Sequence, residues 1–235
     1  MTDLLAASSS SCVLGLFARW PEPGRVKTRL ARDSSPTWAA RVAEAFLRDL
    51  VERLAQIEAR HVLAYAPPTE EASFAALVRD RFALWAQPEG HLGERMEGFF
   101  RGQMETGRER VVLVGSDSPT LPLDAITQAF QELRTADVVL GPATDGGYCL
   151  IGCARRVPAV FQNVDWSSPH VLADTITCLV NDVGRVAVLP PWYDVDTIQD
   201  WWMLRGHIMA LRRAGHDPGV PHSERLLEKD PSMQS

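Results

Sequence analysis

The sequence predicts an α/β protein that folds as a three-layer α/β/α sandwich around a mostly parallel, mixed β-sheet. Short apolar runs alternate along the chain with segments in which apolar residues recur every three or four positions, the spacing of amphipathic helices. The short runs are apolar at successive positions, which is typical of strands covered by helices on both faces. One connection is too short for a parallel crossover, so one antiparallel strand is expected.

Seven strand candidates are bounded by turn-forming residues. They are residues 12–18, 61–66, 82–86, 110–116, 137–142, 148–153 and 185–190. Only ATDGG, residues 143–147, separates the fifth candidate from the sixth. This stretch leaves room for a hairpin turn but not for a helix, so the antiparallel strand is expected here.

Five helix candidates occupy the longer gaps between strands. They are residues 37–59, 92–104, 123–133, 169–181 and 197–214. The first has the clearest apolar face, formed by Trp38, Val42, Ala45, Phe46, Leu50 and Leu54.

Length and composition predict one folded domain, residues 12–214. The chain has 235 residues, of which 46% are hydrophobic, enough to bury a substantial core. Residues 1–11 are serine-rich, and residues 215–235 are polar and contain prolines. Both ends are therefore expected to be flexible tails.

Charge and hydropathy exclude several functions. The formal net charge of −6 argues against binding to nucleic acid or to an acidic membrane surface. The apolar runs are shorter than the roughly 20 residues of a membrane-spanning helix, and Asp3 stands where a signal peptide would be basic. We expect a cytoplasmic protein, in which Cys12, Cys149, Cys153 and Cys178, with no CxxC spacing, are reduced thiols.

A cationic loop follows the first strand. Arg25, Lys27 and Arg29 lie in PGRVKTRL, residues 23–30. Ligands of open α/β sheets gather at the carboxyl ends of strands, so these cations are expected near a site. Pro21 and Pro23 lack the amide N–H groups of a phosphate-binding loop, so cationic side chains would have to bind a phosphate or diphosphate. The alternative is a solvated basic turn paired with surface acids.

An acidic motif follows the central strand. Asp117 lies in GSDSP, residues 115–119, at the carboxyl end of that strand. A carboxylate beside bound phosphates can hold Mg²⁺ or Mn²⁺, because hard cations prefer oxygen ligands. Alternatively, Asp117 and Ser118 accept hydrogen bonds from the amides of their own turn.

Three further motifs join a strand to the next element. In DGGY, residues 145–148, the glycines let a ligand approach the backbone, although a tight hairpin needs the same residues. In YDVDT, residues 193–197, Asp194 and Asp196 are paired carboxylates, and Asp196 is also placed to cap the last helix. In QPEGHLGERM, residues 87–96, amides at a helix start suit an anion, and an ordinary loop is the alternative.

Six segments together resemble one protein family. They are PGRVKTRL, EGHLGERM, VVLVGSDSPTL, VVLGPATDGGYCLIG, VDWSSPHVLADT and DVDT. From about Val13 to Asp200, the chain is similar in their order and spacing to bacterial glycosyltransferase-A-like proteins of the arsenosugar-biosynthesis type. The resemblance implies a Rossmann-like nucleotide-diphospho-sugar transferase fold. This fold is shared with the cytidylyl- and guanylyltransferases that make molybdenum-cofactor dinucleotides and phospholactate-derived intermediates.

The resemblance also implies roles for particular residues. The nucleotide and its phosphates would contact Arg25, Lys27, Thr28, Arg29, Gly93 and Ser116. The sugar or acceptor would contact Asp145, Gly146, Gly147 and Tyr148, and Asp117 and Asp196 would hold Mg²⁺ or Mn²⁺. Separately from the resemblance, Asp145 and Lys27 are the candidate catalytic residues. The acidic triplet of metal-dependent glycosyltransferases is Ser116-Asp117-Ser118 here, so its first carboxylate is missing.

The leading functional hypothesis is an enzyme that transfers the sugar of a nucleoside-diphosphate sugar to a small-molecule acceptor. Asp145 would be the general base toward the acceptor hydroxyl. Lys27, with the metal and the arginines, would stabilise the leaving diphosphate.

Two alternatives stay open. One is a nucleotidyltransferase, in which a phosphorylated small molecule attacks the α-phosphate of a nucleoside triphosphate and pyrophosphate leaves. The other is a nucleotide-binding module without turnover. Under each of them, Trp192, Trp201 and Trp202 are expected to pack in the core or in a homodimer rather than to form an acceptor platform.

Overall fold

The protein is described here by a computed structural model that covers residues 11–166, 168–179, 182 and 184–228. One sheet contains seven strands. They are β1 (Cys12–Arg19), β2 (Arg60–Ala66), β3 (Ala83–Ala86), β4 (Arg110–Gly115), β5 (Val138–Pro142), β6 (Tyr148–Ala154) and β7 (Val186–Val188). All seven predicted strands are confirmed, close to their predicted boundaries.

Helices cover both faces of this sheet. They are α1 (Thr28–Arg32), α2 (Pro36–Leu54), α3 (Glu71–Val78), α4 (Leu92–Glu105), α5 (Leu123–Glu132), α6 (Val171–Leu179), α7 (Ile198–Arg213) and α8 (Pro221–Leu227). The five predicted helices correspond to α2, α4, α5, α6 and α7. Sequence periodicity missed α1, α3 and α8 because each is no longer than about two turns.

The sheet is mixed, with the strand order β3-β2-β1-β4-β6-β5-β7. Strand β6 runs antiparallel to both of its neighbours, and the other pairings are parallel. The predicted antiparallel strand is therefore confirmed, and it follows the short turn at residues 143–147. This Rossmann-like, three-layer arrangement places the carboxyl ends of β1 and β4 side by side.

Alternate residues of the central strands pack against helices on opposite faces of the sheet. Leu14 and Leu16 belong to one buried cluster, and Val13 belongs to the other. Gly15 makes room on the second face, since a Cβ there would lie 2.5 Å from the ring of Phe99 in α4. The predicted burial of both strand faces thus follows from side-chain alternation.

The C-terminal region differs from the expected flexible tail. Helix α8 packs against α2, with Val220 and Leu227 buried between them. Asp49 of α2, itself fully buried, accepts hydrogen bonds from the backbone amides of His222 and Ser223 and from the Ser223 hydroxyl. The polar sequence of this region therefore folds onto the domain as far as residue 228. Residues 1–10 and 229–235 of the predicted tails lie outside the described residues.

Helix α7 contains two of the tryptophans that were expected to pack. Trp201 is fully buried in the cluster between α2 and α7, where it contacts Trp38 edge-on. Trp202, the next residue, is 54% exposed. Trp192 stacks on Tyr193, before α7 begins. The prediction of core packing is therefore confirmed for Trp201 and for Trp192, which packs against the core, and packing of Trp202 in a homodimer stays a prediction.

The cysteines and the helices agree with two further sequence expectations. The four cysteines are free thiols, with Cys12, Cys149 and Cys153 buried and Cys178 half-buried. Among the described residues, no helix combines the length and apolar character needed to cross a membrane.

Candidate active site

A cavity of about 700 Å³ opens at the carboxyl ends of β1 and β4. Its remaining walls come from the start of α4, from β6 and from residues that precede α6. Among the lining residues are Phe17, Arg19, Arg29, Gln87, Arg95, Met96, Ser116, Asp117, Asp145, Gly147, Tyr148, Trp166 and Asp194. A cavity of this size at a sheet edge can hold a nucleotide-sized ligand.

Carboxylates from three loops form the acidic side of the cavity. Asp117 follows β4, Asp145 lies in the β5–β6 turn, and Asp194 precedes α7. The backbone N–H of Val195 donates to the carbonyl of Asp117 over 2.9 Å, which ties the Asp194 loop to the end of β4. The hydroxyl of Ser118 donates to the carboxylate of Asp194.

Three hydrogen-bonded side chains connect the Asp194 loop to the elements next to it. The hydroxyl of Tyr193 lies 2.9 Å from that of Thr120 and 2.7 Å from Nδ1 of His207 in α7. These contacts join the β4–α5 loop, the Asp194 loop and α7. The sequence motifs around residues 117 and 194 therefore form one structural unit.

Among the cavity's carboxylates, Asp194 has the most strongly shifted pKa. Burial, together with the neighbouring carboxylates Asp117, Asp145 and Asp196, raises the pKa of Asp194 to about 7 against the opposing hydrogen bond from Ser118. Burial, followed by Asp117, also raises the pKa of Asp196, while Lys27 and Arg29 lower it. Burial and the closeness of several carboxylates therefore both favour the protonated forms of Asp194 and Asp196.

Lys27 lies inside this acidic cluster and not on the cavity wall. Its side chain is 2% exposed, and its ammonium donates over 2.6 Å both to Asp117 and to the carbonyl of Val195. Asp196 lies 3.7 Å away, and the ring of Phe46 lies below the ammonium. Lys27 and Asp117 therefore lie close together, with the ammonium engaged by carboxylate and carbonyl oxygens.

The other residues of the cationic loop separate into two groups. Arg29 lines the cavity and lies 3.6 Å from Asp196. Arg25 and Thr28 are exposed and are absent from the described cavity lining. Lys27 has a left-handed backbone conformation, with φ 43°, and this turn directs successive side chains of the loop in different directions.

Two cavity arginines were not among the predicted site residues. Arg19 is the last residue of β1, and Arg95 lies in the first turn of α4, where its Nε donates to the carbonyl of Gly90 over 2.8 Å. With Arg29 they are the cationic residues of the described cavity lining. Arg19 could have been found as a charged residue at a strand's carboxyl end, whereas Arg95 is brought in only by the placement of α4.

The glycine turn before β6 combines packing with access to the cavity. Asp145 accepts a hydrogen bond from the N–H of Gly147 over 2.9 Å, which closes the turn. Gly146 has a φ of 94°, and a Cβ there would overlap the carbonyl of Pro169, so this glycine packs against the segment before α6. Gly147 and Tyr148 line the cavity, and Gly146 is absent from its described lining.

The amide groups at the start of α4 are hydrogen-bonded to side chains of the same segment. His91 accepts from the N–H of Glu94, whose carboxylate accepts from the N–H of His91. Gly93 is buried beneath Trp166, because a Cβ at this position would lie 2.5 Å from the indole nitrogen. The structure therefore places Gly93 behind the cavity wall, whereas Ser116 lies on that wall.

Asp196 is not the cap of the last helix, contrary to one of its predicted roles. Thr197 is the N-cap of α7, and its hydroxyl accepts from the N–H of Asp200. Asp196 is instead close to Lys27 and Arg29, as described above. Asp194, its neighbour in the motif, is the one that lines the cavity.

The carboxylates have the chemistry, though not a preassembled geometry, for a hard divalent cation. Within the described part of the chain, no group of three His, Cys, Asp or Glu side chains is spaced to hold a metal ion. Magnesium often takes only one or two carboxylates together with phosphate and water oxygens. Asp117, whose side chain is 46% exposed, and Asp194 offer such oxygens on one wall, so these residues fit Mg²⁺ or Mn²⁺ that arrives with a phosphate ligand.

The fold and the cavity define a class of protein, the nucleotidyltransferases and nucleotide-diphospho-sugar transferases that share this Rossmann-like sheet. The chain belongs to the bacterial family DUF2064, described as uncharacterized protein conserved in bacteria, whose profile matches residues 48–168.

Comparison with known proteins gives the same class. The chain is 32% identical, over 182 residues, to a 3-phospho-D-glycerate guanylyltransferase from Phenylobacterium zucineum, and the match covers 74% of this chain and 81% of the relative. It is also 32% identical to a crystal structure from Desulfovibrio desulfuricans G20 assigned as a nucleotide-diphospho-sugar transferase. That structure superposes with a TM-score of 0.84 over 94% of this chain and 96% of its own.

A more distant structure shares only the fold. The 4-diphosphocytidyl-2C-methyl-D-erythritol synthase of Anaerococcus prevotii is 9% identical, with a TM-score of 0.57 over 86% of this chain and 99% of its own. The predicted Rossmann-like transferase fold is therefore confirmed.

Proposed function

We propose that this protein is a nucleotidyltransferase of the guanylyl type, which joins the nucleoside monophosphate of GTP to the phosphate of a small phosphorylated acid. This was the alternative hypothesis from the sequence. It is now preferred to sugar transfer because the 32% identical relative is a 3-phospho-D-glycerate guanylyltransferase.

The observation that carries the proposal is the convergence of Arg19, Arg29 and Arg95 on the cavity that Asp117 and Asp194 also line. A nucleoside triphosphate and a phosphorylated acceptor together bring several negative charges into one site. Three guanidinium groups can bind phosphate oxygens by forked hydrogen bonds. A sugar acceptor with only hydroxyl groups would not need so many cations.

In the proposed reaction, an oxygen of the acceptor phosphate forms a bond to the α-phosphorus of GTP. The bond from that phosphorus to the bridging oxygen of the β-phosphate breaks, and its electron pair leaves with pyrophosphate. The attacking phosphate is already ionised near pH 7, so the step requires no general base. Catalysis then depends on positioning and on electrostatic stabilisation by the arginines.

Asp117 and Asp194 would hold Mg²⁺ or Mn²⁺ beside the phosphates, with Asp196 close by. When bound, such an ion neutralises charge on the phosphate oxygens. Lys27 would keep Asp117 and Asp196 in place, because its ammonium is already engaged by them. Arg29, Ser116, Gly147 and Tyr148 remain candidates for substrate contacts.

Sugar transfer is the second candidate function. It is favoured by the Desulfovibrio structure, which covers almost the whole chain. In that reaction Asp145, which lines the cavity, would be the general base toward an acceptor hydroxyl. The more specific arsenosugar assignment belongs to this second candidate.

The test is product analysis with purified protein and Mg²⁺ or Mn²⁺. With GTP and 3-phospho-D-glycerate, we expect release of pyrophosphate and formation of a guanylylated acid. Each of the other three nucleoside triphosphates serves as a comparison. Release of GDP from a GDP-sugar, with no pyrophosphate from any triphosphate, would replace nucleotidyl transfer by sugar transfer.

A further inference from the structure

Gln87 is a buried amide on the cavity wall. It directly follows β3, only 8% of its surface is exposed, and it lines the cavity together with Phe17 and Met96. Its backbone N–H donates to the carbonyl of Tyr65 over 2.9 Å, which continues the sheet pairing by one residue. The main chain at Gln87 is therefore fixed by the sheet edge.

The side-chain amide of Gln87 is fixed as well. Its Nε2 donates to the carbonyl of Ala64 over 2.7 Å and lies 3.3 Å from the carbonyl of Ala18. A carbonyl oxygen can only accept, so the NH₂ group must face these two strands. This bonding determines which end of the amide is the oxygen.

The other end of the amide is an available acceptor. Oε1 of Gln87 makes no hydrogen bond with the described residues. The atom is not fully buried either, so it keeps contact with solvent. The cavity that Gln87 lines also has the apolar side chains of Phe17, Leu92 and Met96 among its described lining residues. A rigid acceptor in such a wall favours a flat ligand that presents an N–H donor at its edge.

We propose that Oε1 of Gln87 selects the nucleobase by accepting hydrogen bonds from the N1–H and 2-amino groups of guanine. This inference rests on the proposed function, which requires a nucleotide in this cavity. Guanine places two donors side by side, so both can approach one carbonyl oxygen. Adenine and cytosine place a ring-nitrogen acceptor beside their amino group, and that lone pair would face Oε1.

Neighbouring groups complement the rest of the guanine ring. Phe17 and Met96 provide apolar surface for its face. The three arginines of the cavity, with the proposed metal-binding carboxylates Asp117 and Asp194, are left for the phosphates.

The experiment measures binding of nucleotides to the full-length protein, by calorimetry or thermal shift with Mg²⁺. We expect GTP to bind about 5- to 100-fold more tightly than ITP, which lacks the 2-amino group, and more tightly than ATP. Gln87→Met should weaken GTP binding by a similar factor and bring the GTP-to-ITP ratio near one. Gln103→Met, at an equally buried glutamine of α4 absent from the described cavity lining, should keep both affinities.

Equal binding of GTP and ITP by the wild-type protein would overturn the inference, and this comparison needs no variant that folds. An unchanged GTP-to-ITP ratio in a folded Gln87→Met protein would overturn it too. If GTP binds selectively but no pyrophosphate is released with any phosphorylated acid, only the proposed reaction fails. If pyrophosphate is released from GTP and ITP alike, only the role of Gln87 fails. If no nucleotide binds, both fail.

Discussion

The side-chain nitrogen of Lys27 lies 2.6 Å from a carboxylate oxygen of Asp117, and this contact joins two loops that are 90 residues apart in the chain. The same nitrogen binds the carbonyl of Val195, so a third loop meets there. A single buried ammonium therefore holds the acidic side of the cavity together. Removing this ammonium should therefore lower both the stability of the fold and the activity.

We expect Lys27→Met to lower both the free energy of unfolding, by about 1–3 kcal/mol, and the rate of pyrophosphate release. The substitution leaves Asp117 and Asp196 close together without their shared cation, so the carboxylates repel each other. Urea denaturation and steady-state kinetics would measure the two effects. If Lys27 only contacted substrate phosphates, the variant would raise KM for GTP and leave stability unchanged.

A second expectation separates two arginines of the same loop. Arg29→Ala should weaken nucleotide binding about 10- to 100-fold, because it removes a guanidinium from the cavity wall. Arg25→Ala should bind nucleotide like the wild type, since Arg25 is exposed and absent from the described lining. Titration of GTP into each variant measures this, and equal losses in both would mean that the whole loop closes on the ligand.

The contrast between Arg25 and Arg29 shows which features of the site the sequence could not predict. Alternation of apolar runs predicted the sheet, and the end of each strand located Asp117 and Arg29 at its carboxyl edge. The left-handed conformation of Lys27 could not be foreseen, because only glycine signals it reliably, so the buried cation and the exposed Arg25 were not distinguished. Arg95 and Gln87 reach the cavity through the placement of α4 and β3, which no local pattern encodes.

A third expectation compares two glycines, Gly146 in the turn before β6 and Gly206 in helix α7. Gly146→Ala should destabilise the protein by at least about 2 kcal/mol, because its φ is 94° and its Cβ would overlap the carbonyl of Pro169. Gly206→Ala in α7 should instead stabilise it by about 0.5–1 kcal/mol, since nothing lies within 4 Å of its Cβ and alanine favours helices. Thermal denaturation measures the stability of both variants. If Gly146→Ala left the stability unchanged, the turn would have to rearrange to make room for the Cβ.

The docking of α8 on α2 depends on one buried carboxylate. Asp49 is fully buried and accepts three hydrogen bonds from His222 and Ser223. Burial raises the pKa of Asp49, and the hydrogen bonds from Ser223 and His222 only partly oppose this effect. Folding therefore favours the protonated carboxyl relative to the unfolded chain.

This direction sets the pH dependence of a comparison between wild type and Asp49→Asn, whose side chain does not titrate. The contribution of Asp49 to stability should be fully present below the unfolded pKa of about 3.9, and it should be lost as pH rises through the higher folded pKa. We therefore expect the stability of the wild type, relative to Asp49→Asn, to fall as the pH rises above about 3.9 in urea denaturation. Asp49→Ala, which leaves the amides of α8 without an acceptor, should be the less stable variant at every pH. A relative stability that rises with pH would mean that the hydrogen bonds outweigh burial, so that the charged carboxylate is what holds α8 in place.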